Sequence, residues 1–247
     1  MSVFACSDLH GRYDLFKMIQ DFLKEDDTLY VIGDVFDRGP DGWRIYKEIK
    51  KDSRIILLCG NHEYMAERGL REWLINGRLG FEDWALWTQY NGGQVTFDTI
   101  FYEFGGKTSE LNNLIQELAD LPTGIEYTNK DGIKIFLVHS GCSDFWKEDR
   151  VWDRRNLHRT HWHGADNELI VHGHTPIPLM LEDWQKNNIC QNEIDEYEGG
   201  ALWWCENHKI CLDVGAVWTN MIVVLDLDTF DEHIFSIEKV EKGEING

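Results

Sequence analysis

Aspartate, histidine and asparagine recur in four short blocks of this chain: Ser7-Asp8-Leu9-His10-Gly11, Gly33-Asp34-Val35-Phe36-Asp37-Arg38-Gly39, Gly60-Asn61-His62-Glu63 and His172-Gly173-His174-Thr175. These side chains are hard-to-borderline ligands, and gathered at one place they suit a pair of divalent cations that hydrolyse phosphate esters. Asp8 and His10 are two residues apart, so at a strand end both can point to one side and grip one metal. Asp34 brings two carboxylate oxygens and can bridge two metals roughly 3.5 to 4 Å apart. Asn61 offers a neutral amide oxygen, and His139 and His174 arrive from later in the chain. The candidate metal ligands are therefore Asp8, His10, Asp34, Asn61, His139 and His174, with His172 competing for the last place. One block alone is weak, because Asp-x-His triplets are common in loops. Four in this order, each behind an apolar run, make coincidence a poor explanation.

Strands must deliver these blocks. Residues 3–6, 29–32 and 55–58 read as short buried strands, each running into a block. Between them, residues 13–23 carry a helical stripe (Leu15, Phe16, Ile19, Phe22, Leu23), and residues 42–49 form the next helix. Such alternation implies a parallel sheet with right-handed crossovers, and ligands collect beyond the carboxyl ends of its strands, at one sheet edge. Residues 64–121 read as a mostly helical insert with Trp73, Leu74, Trp84, Leu86 and Trp87 at helical spacing, broken at Asn91-Gly92-Gly93. A packed insert is the expectation, and a lid that shapes the substrate site is the alternative. Later strands are expected at 133–138, leading into His139, and at 169–171, leading into His172. A closing meander follows at 201–204, 209–212, 221–227 and 233–237. Two sheets packed face to face with helices outside account for this order.

With 247 residues and neither a Pro/Ser-rich linker nor a repeat, one domain over 1–240 is expected, with a frayed tail at 241–247. The start has no basic region followed by a long apolar stretch, and no apolar run approaches the ~18 to 20 residues that cross a bilayer. A cytoplasmic protein is expected. The net charge of −20 disfavours nucleic acid and anionic membranes as partners. A phosphorylated substrate needs local positive charge to offset that field, which two divalent cations and a few arginines would supply. The six cysteines contain no CxxC pair and read as reduced thiols. A zinc on Cys190, Cys205 and Cys211 would need irregular spacing. His158, His161 and His163 crowd one loop and read as polar residues near the site mouth.

The blocks resemble the calcineurin-like metallophosphoesterase superfamily, and Asp8-Leu9-His10-Gly11, Gly33-Asp34 with Asp37-Arg38-Gly39, and Gly60-Asn61-His62-Glu63 look like its phosphoprotein phosphatase branch. That branch includes bacterial and phage serine/threonine phosphatases and the symmetrical diadenosine tetraphosphatases. The resemblance runs from Asp8 to about Asp213. It implies an α/β fold, a four-layer double β-sandwich flanked by helices. It also implies that Asp8 and His10 bind a first metal, that Asp34 bridges, and that Asn61, His139 and His174 complete a second. His174 is preferred to His172 because the family's ligand sits in the Gly-His step. Manganese is the first expectation, with iron or zinc as alternatives.

In such a site a hydroxide bridging the metals would attack phosphorus directly. Arg38 would pair the phosphoryl oxygens. Arg154, in Val151-Trp152-Asp153-Arg154, resembles the family's second phosphate arginine, with Arg155 as its neighbour and rival. His62 would protonate the leaving group, held in its tautomer by Asp37, a pair the resemblance supports. The leading expectation is hydrolysis of phosphomonoesters, including phosphoserine or phosphothreonine in proteins. The alternative is cleavage of dinucleoside polyphosphates, for which Trp146, Trp152 and Trp162 would offer stacking surfaces. A non-catalytic scaffold is disfavoured because every ligand and the acid pair are present.

Overall fold

The structure is a computed structural model, and it describes residues 1–76, 82–141 and 147–238. The chain runs through β1 (Val3–Cys6), α1 (Tyr13–Phe22), β2 (Thr28–Val31), α2 (Gly42–Ile49), β3 (Ile55–Leu57) and α3 (Asn61–Asn76). The helical region continues with α4 (Asp83–Ala85), a π turn (Leu86–Tyr90), α5 (Gln94–Phe104) and α6 (Thr108–Ala119). Next come β4 (Ile125–Thr128), β5 (Lys134–Leu137), α7 (Lys147–Trp152), a 3-10 turn (Arg155–His158), β6 (Glu168–His172), α8 (Ile177–Asn187) and α9 (Gln191–Glu196). The chain closes with β7 (Leu202–Trp204), β8 (Lys209–Cys211), α10 (Ala216–Thr219), β9 (Met221–Asp226) and β10 (Glu232–Ser236).

Two five-stranded mixed sheets form. The first has the order β10-β9-β1-β2-β3 and the second β4-β5-β6-β8-β7. In the first, β1, β2 and β3 are parallel neighbours, and β9 joins β1 antiparallel. In the second, β5, β6 and β8 are parallel, with β4 and β7 antiparallel at the edges. Period-two alternation assigns each face. Val3 and Ala5 of β1, with Val223 and Leu225 of β9, pack with Ile135, Leu137 and Val171 in one core between the sheets. Their neighbours Phe4, Cys6, Ile222 and Val224 join a second core with Leu15, Phe16 and Ile19 of α1 and Ile45 of α2. On the second sheet α8 buries Ile177, Met180 and Trp184, and the Trp184 and Trp204 ring centroids lie 5.3 Å apart. The result is an α/β fold of two mixed sheets flanked by helices.

The closing strands are not one meander. β7 and β8 pair as a hairpin in the second sheet, while β9 and β10 pair in the first, so consecutive hairpins separate across the sandwich. Local alternation signals a strand but not the sheet it joins. β4 and the helices α8 and α9 were not anticipated, although Ile177, Met180 and Trp184 have helical spacing. The helical region begins at Asn61, three residues before the expected start, which places Asn61 and His62 in the first turn of α3. Helices α3 and α6 pack together, and Trp73, Trp84 and Trp87 all meet Phe97 edge-on. No helix of the described residues is long and apolar enough to cross a membrane. The expected tail at 241–247 and Trp146 lie outside the described residues.

Candidate active site

The loops that carry the candidate ligands come from the carboxyl ends of parallel strands in both sheets, which corrects the expectation of one sheet edge. Asp8 and His10 follow β1, Asp34 follows β2, and Asn61 and His62 follow β3. His139 follows β5, His174 follows β6 and Asp213 follows β8 in the other sheet. Cross-sheet hydrogen bonds lock the two halves. His139 Nδ1 lies 2.7 Å from the Ile32 carbonyl, and the His174 amide donates to Asp8 Oδ2 at 3.0 Å. Gly173 permits this closure: a Cβ there would collide with the side chains of Ser7 and Asp8.

Asp8, His10, Asp34, Asp37, Arg38 and His174 all have φ between 42° and 70°. Non-glycine residues in this left-handed region cost roughly 1 to 3 kcal/mol each and persist where the surroundings over-determine them. Here they turn successive side chains toward one centre. Glu63 does much of the holding. Fully buried, it accepts the backbone N–H of Asp34 (2.7 Å), Val35 (2.9 Å), Phe36 (3.3 Å) and Gly60 (3.0 Å). Glu63 ends the Gly-Asn-His-Glu block, and nothing in the local spacing marks its carboxylate for this task.

Two sets of side chains converge on Asp34. In each set the potential ligand atoms lie within 4.8 Å of one another: His10, Asp34 and His62 in one, Asp34, His139 and His174 in the other, all buried. Asp8 stands beside the first, with Oδ1 3.9 Å from His10 Nε2. Asn61 joins the second, with Oδ1 3.0 Å from His139 Nε2 and 2.8 Å from His174 Nδ1. The structure therefore brings together all six predicted ligands. His172 instead faces the core, where Trp204 Nε1 donates to its Nε2 at 3.1 Å and burial holds its pKa down at about 3.

Electrostatics favour cations here. Burial and the Asp34 charge raise the pKa of Asp8, and burial and the Asp8 charge raise that of Asp213 far above the usual carboxylate range. Asp34, despite burial, is held well below that range by His139, His62 and His10. His10 and His174 are pushed well below the ordinary imidazole value, chiefly by burial, which leaves them neutral as ligands must be. His10 Nδ1 donates to the Phe36 carbonyl at 2.8 Å, which leaves the Nε2 lone pair facing Asp34. Asp8 Oδ1, His10 Nε2, His174 Nε2 and Asp213 Oδ2 are buried without a hydrogen-bond partner. An orphaned buried polar atom costs about 1 to 3 kcal/mol, so four at one place fit a site built for divalent metal. The oxygen and imidazole donor set suits such ions.

Beside the clusters lies a buried histidine–aspartate pair. His62 Nδ1 is 2.6 Å from Asp37 Oδ2, and neither residue is exposed. Burial opposes the His62 charge, but Asp34 and Asp37 outweigh it and raise the pKa. His62 Nε2 is 3.3 Å from Arg38 Nη2, which places a guanidinium at the centre. Arg154 is exposed, and its charge acts on His174. The Arg155 side chain lies outside the described residues. Trp152 meets His174 edge-on at 6.1 Å. Trp162 instead stacks on His208 at 4.8 Å, and His158 and His161 pair with Asp183 and Glu206. Those loop histidines do not gather into a site.

A buried, histidine- and aspartate-lined pair of clusters at the rim of a two-sheet α/β sandwich defines a metal-dependent phosphoesterase. The calcineurin-like phosphoesterase family model matches residues 1–212, and the chain belongs to that family. Within the family, a symmetrical bis(5'-nucleosyl)-tetraphosphatase of Nitrosospira multiformis is 37% identical over 68 residues. Its counterpart in Wigglesworthia glossinidia brevipalpis is 36% identical over 67 residues. Each match spans 26% of this chain and only about a quarter (24% and 25%) of the relative. Among solved structures, a candidate diadenosine tetraphosphatase superposes with a TM-score of 0.56 and 15% identity over 96% of this chain and 94% of that one. A protein serine/threonine phosphatase of Saccharomyces cerevisiae gives 0.51 and 16% over 99% and 82%. At such identities the structural likeness shows the fold alone.

Proposed function

We propose that this chain hydrolyses phosphomonoesters with poor leaving groups, including phosphoserine or phosphothreonine in proteins. The observation that carries this reading is the His62–Asp37 contact of 2.6 Å set beside Arg38 at the double cluster. A serine alkoxide is a strong base and leaves only with a proton, so an acid held at the leaving side is worth about 10²- to 10⁴-fold. A nucleoside diphosphate is a far weaker base and needs that proton less.

In this reading Asp8 and His10 would hold one cation, Asn61, His139 and His174 would hold the other, and Asp34 would stand between the two sets. When bound, the two cations supply Lewis acidity, stabilising charge on the phosphoryl oxygens and activating water. Arg38 presents its planar fork to two phosphoryl oxygens, and Arg154, exposed just after α7, adds positive charge that reaches His174. His62 carries the proton on Nε2 to the departing oxygen, while Asp37 keeps Nδ1 protonated and the ring aimed. Manganese is the first choice for reconstitution.

One observation favours cleavage of dinucleoside polyphosphates instead. Trp218 on α10 is 54% exposed, and its ring centroid lies 5.9 Å from Arg38 Cζ. Arg12 Nη1 anchors that short helix through the Ala216 carbonyl (2.6 Å) and Asn220 Oδ1 (2.9 Å). An exposed, anchored indole beside a phosphate arginine could stack a nucleobase. The names of the matched tetraphosphatases agree with this alternative. Side-by-side turnover of a phosphopeptide and diadenosine tetraphosphate tests both. Fast dinucleotide cleavage beside negligible phosphopeptide turnover, with Trp218→Ala raising KM for the dinucleotide alone, would overturn the first reading.

A further inference from the structure

Trp87 carries the helical region onto the Asp37 carboxylate. Trp87, in the π turn, is fully buried, and its indole Nε1 donates to both carboxylate oxygens of Asp37, at 2.9 Å to Oδ2 and 3.1 Å to Oδ1. The same Oδ2 faces His62 Nδ1 at 2.6 Å. Residues just beyond the π turn hold the backbone of the same block. The Asp37 amide donates to Thr96 Oγ1 at 3.0 Å, and the Arg38 amide donates to the Gly92 carbonyl at 3.3 Å.

The indole has little freedom. A Cβ on Gly69 of α3 would lie 2.8 Å from Trp87 Cε3, and Phe97 meets the ring edge-on at 6.1 Å. Gly93 donates its amide to the Trp87 carbonyl at 2.9 Å. A π turn widens a helix locally and is found disproportionately at functional sites. The terminal torsion of an aspartate is broad, so its carboxylate plane is set by partners and not by rotamer preference. Among the described residues two side chains contact that carboxylate, His62 and the Trp87 indole.

We propose that Trp87 is a positioning residue for phosphoester hydrolysis: by donating across both oxygens of Asp37 it fixes the carboxylate plane that aims His62 at the leaving group. The assignment rests on the reading of His62 as the general acid. It gives the helical region a task in the chemistry, separate from any shaping of the substrate cleft.

The test compares Trp87→Phe with the wild-type chain, both loaded with manganese, on two substrates that share a phosphoryl group. One is an alkyl phosphate, whose leaving group needs a proton, and the other is 2,4-dinitrophenyl phosphate, whose leaving group does not. Trp87→Phe is expected to lower kcat on the alkyl ester about tenfold or more and to leave the dinitrophenyl ester within about threefold, with KM for both nearly unchanged. Gly69→Ala, which presses on the indole without removing it, is expected to show the same split more weakly, and it serves if the phenylalanine variant does not fold. Equal losses on both esters, or a loss that follows metal content or melting temperature, would reduce Trp87 to a packing residue and overturn the proposal. His62→Asn on the same pair of esters separates the two ideas. If it shows the split and the Trp87 and Gly69 variants do not, positioning fails alone. If it shows no split, the acid reading fails and the proposal with it.

Discussion

Asp37 Oδ2 and His62 Nδ1 face each other at 2.6 Å in a setting from which solvent is excluded on both sides. A carboxylate there fixes the imidazole tautomer and stabilises its protonated form. His62→Asn should therefore slow turnover of an alkyl phosphate at least about a hundredfold while metal content stays at the wild-type level. Metal analysis beside steady-state kinetics checks this. Because His62 also lies within ligand reach of His10 and Asp34, loss of a full metal equivalent in the mutant would make it a ligand instead of an acid.

Three buried carboxylates, Asp8, Asp34 and Asp213, crowd the centre and repel one another. Chelation should destabilise the fold as well as abolish activity. At free metal a hundredfold above its dissociation constant, binding contributes about 2.7 kcal/mol. For a chain of this size that is a melting temperature lower by about 5 to 10 °C after metal removal. Calorimetry before chelation, after it and after manganese is returned provides the measurement, and an unchanged transition would count against a built metal site.

Arg38 stands 3.3 Å from His62 and turns its guanidinium toward the same centre. Arg38→Ala should lower kcat/KM for a phosphomonoester about 10²- to 10³-fold, the scale of a lost preorganised charge. Arg38→Lys should recover only part of that, because an ammonium cannot pair two oxygens in a plane. Full activity in the lysine variant would mean that charge alone matters there.

Far from the site, Asp52 accepts hydrogen bonds from Arg54, and these, together with the arginine charge, hold its pKa down at about 2 against the opposing effect of burial. The unfolded chain, with an aspartate pKa near 3.9, takes up the proton first on acidification. The stabilisation from this pair is therefore complete above about pH 4 and disappears as the pH falls through about 2. Asp52→Asn should cost about 1 kcal/mol or less at pH 7, since the pair is partly exposed, and only a small part of that at pH 2, where the folded carboxylate is about half protonated. Denaturant titrations at the two pH values check the sign.

Much of this protein was legible along the chain. The strands β1, β2 and β3, the helices α1 and α2, and the metal blocks each announce themselves within about ten residues, because burial and turn chemistry act on neighbours. The side chains that converge could be picked out for the same reason: Asp8, His10, Asp34 and Asn61 sit where strands end. His139 and His174 were readable too, as histidines behind apolar runs.

What the chain could not disclose concerns partners distant in sequence. Nothing near residue 87 says that its indole will meet residue 37, or near residue 63 that its carboxylate will collect amides from both neighbouring strand ends. Likewise, the splitting of the last two hairpins between sheets follows from packing of whole layers, since β8 and β9 are largely apolar and buried alike and neither names the sheet it joins. The amino-acid order determined which groups this protein has for its chemistry, through local spacing and burial. Tertiary structure decided which of them meet, because convergence of loops from two sheets is a property of the packed sandwich and of no segment within it.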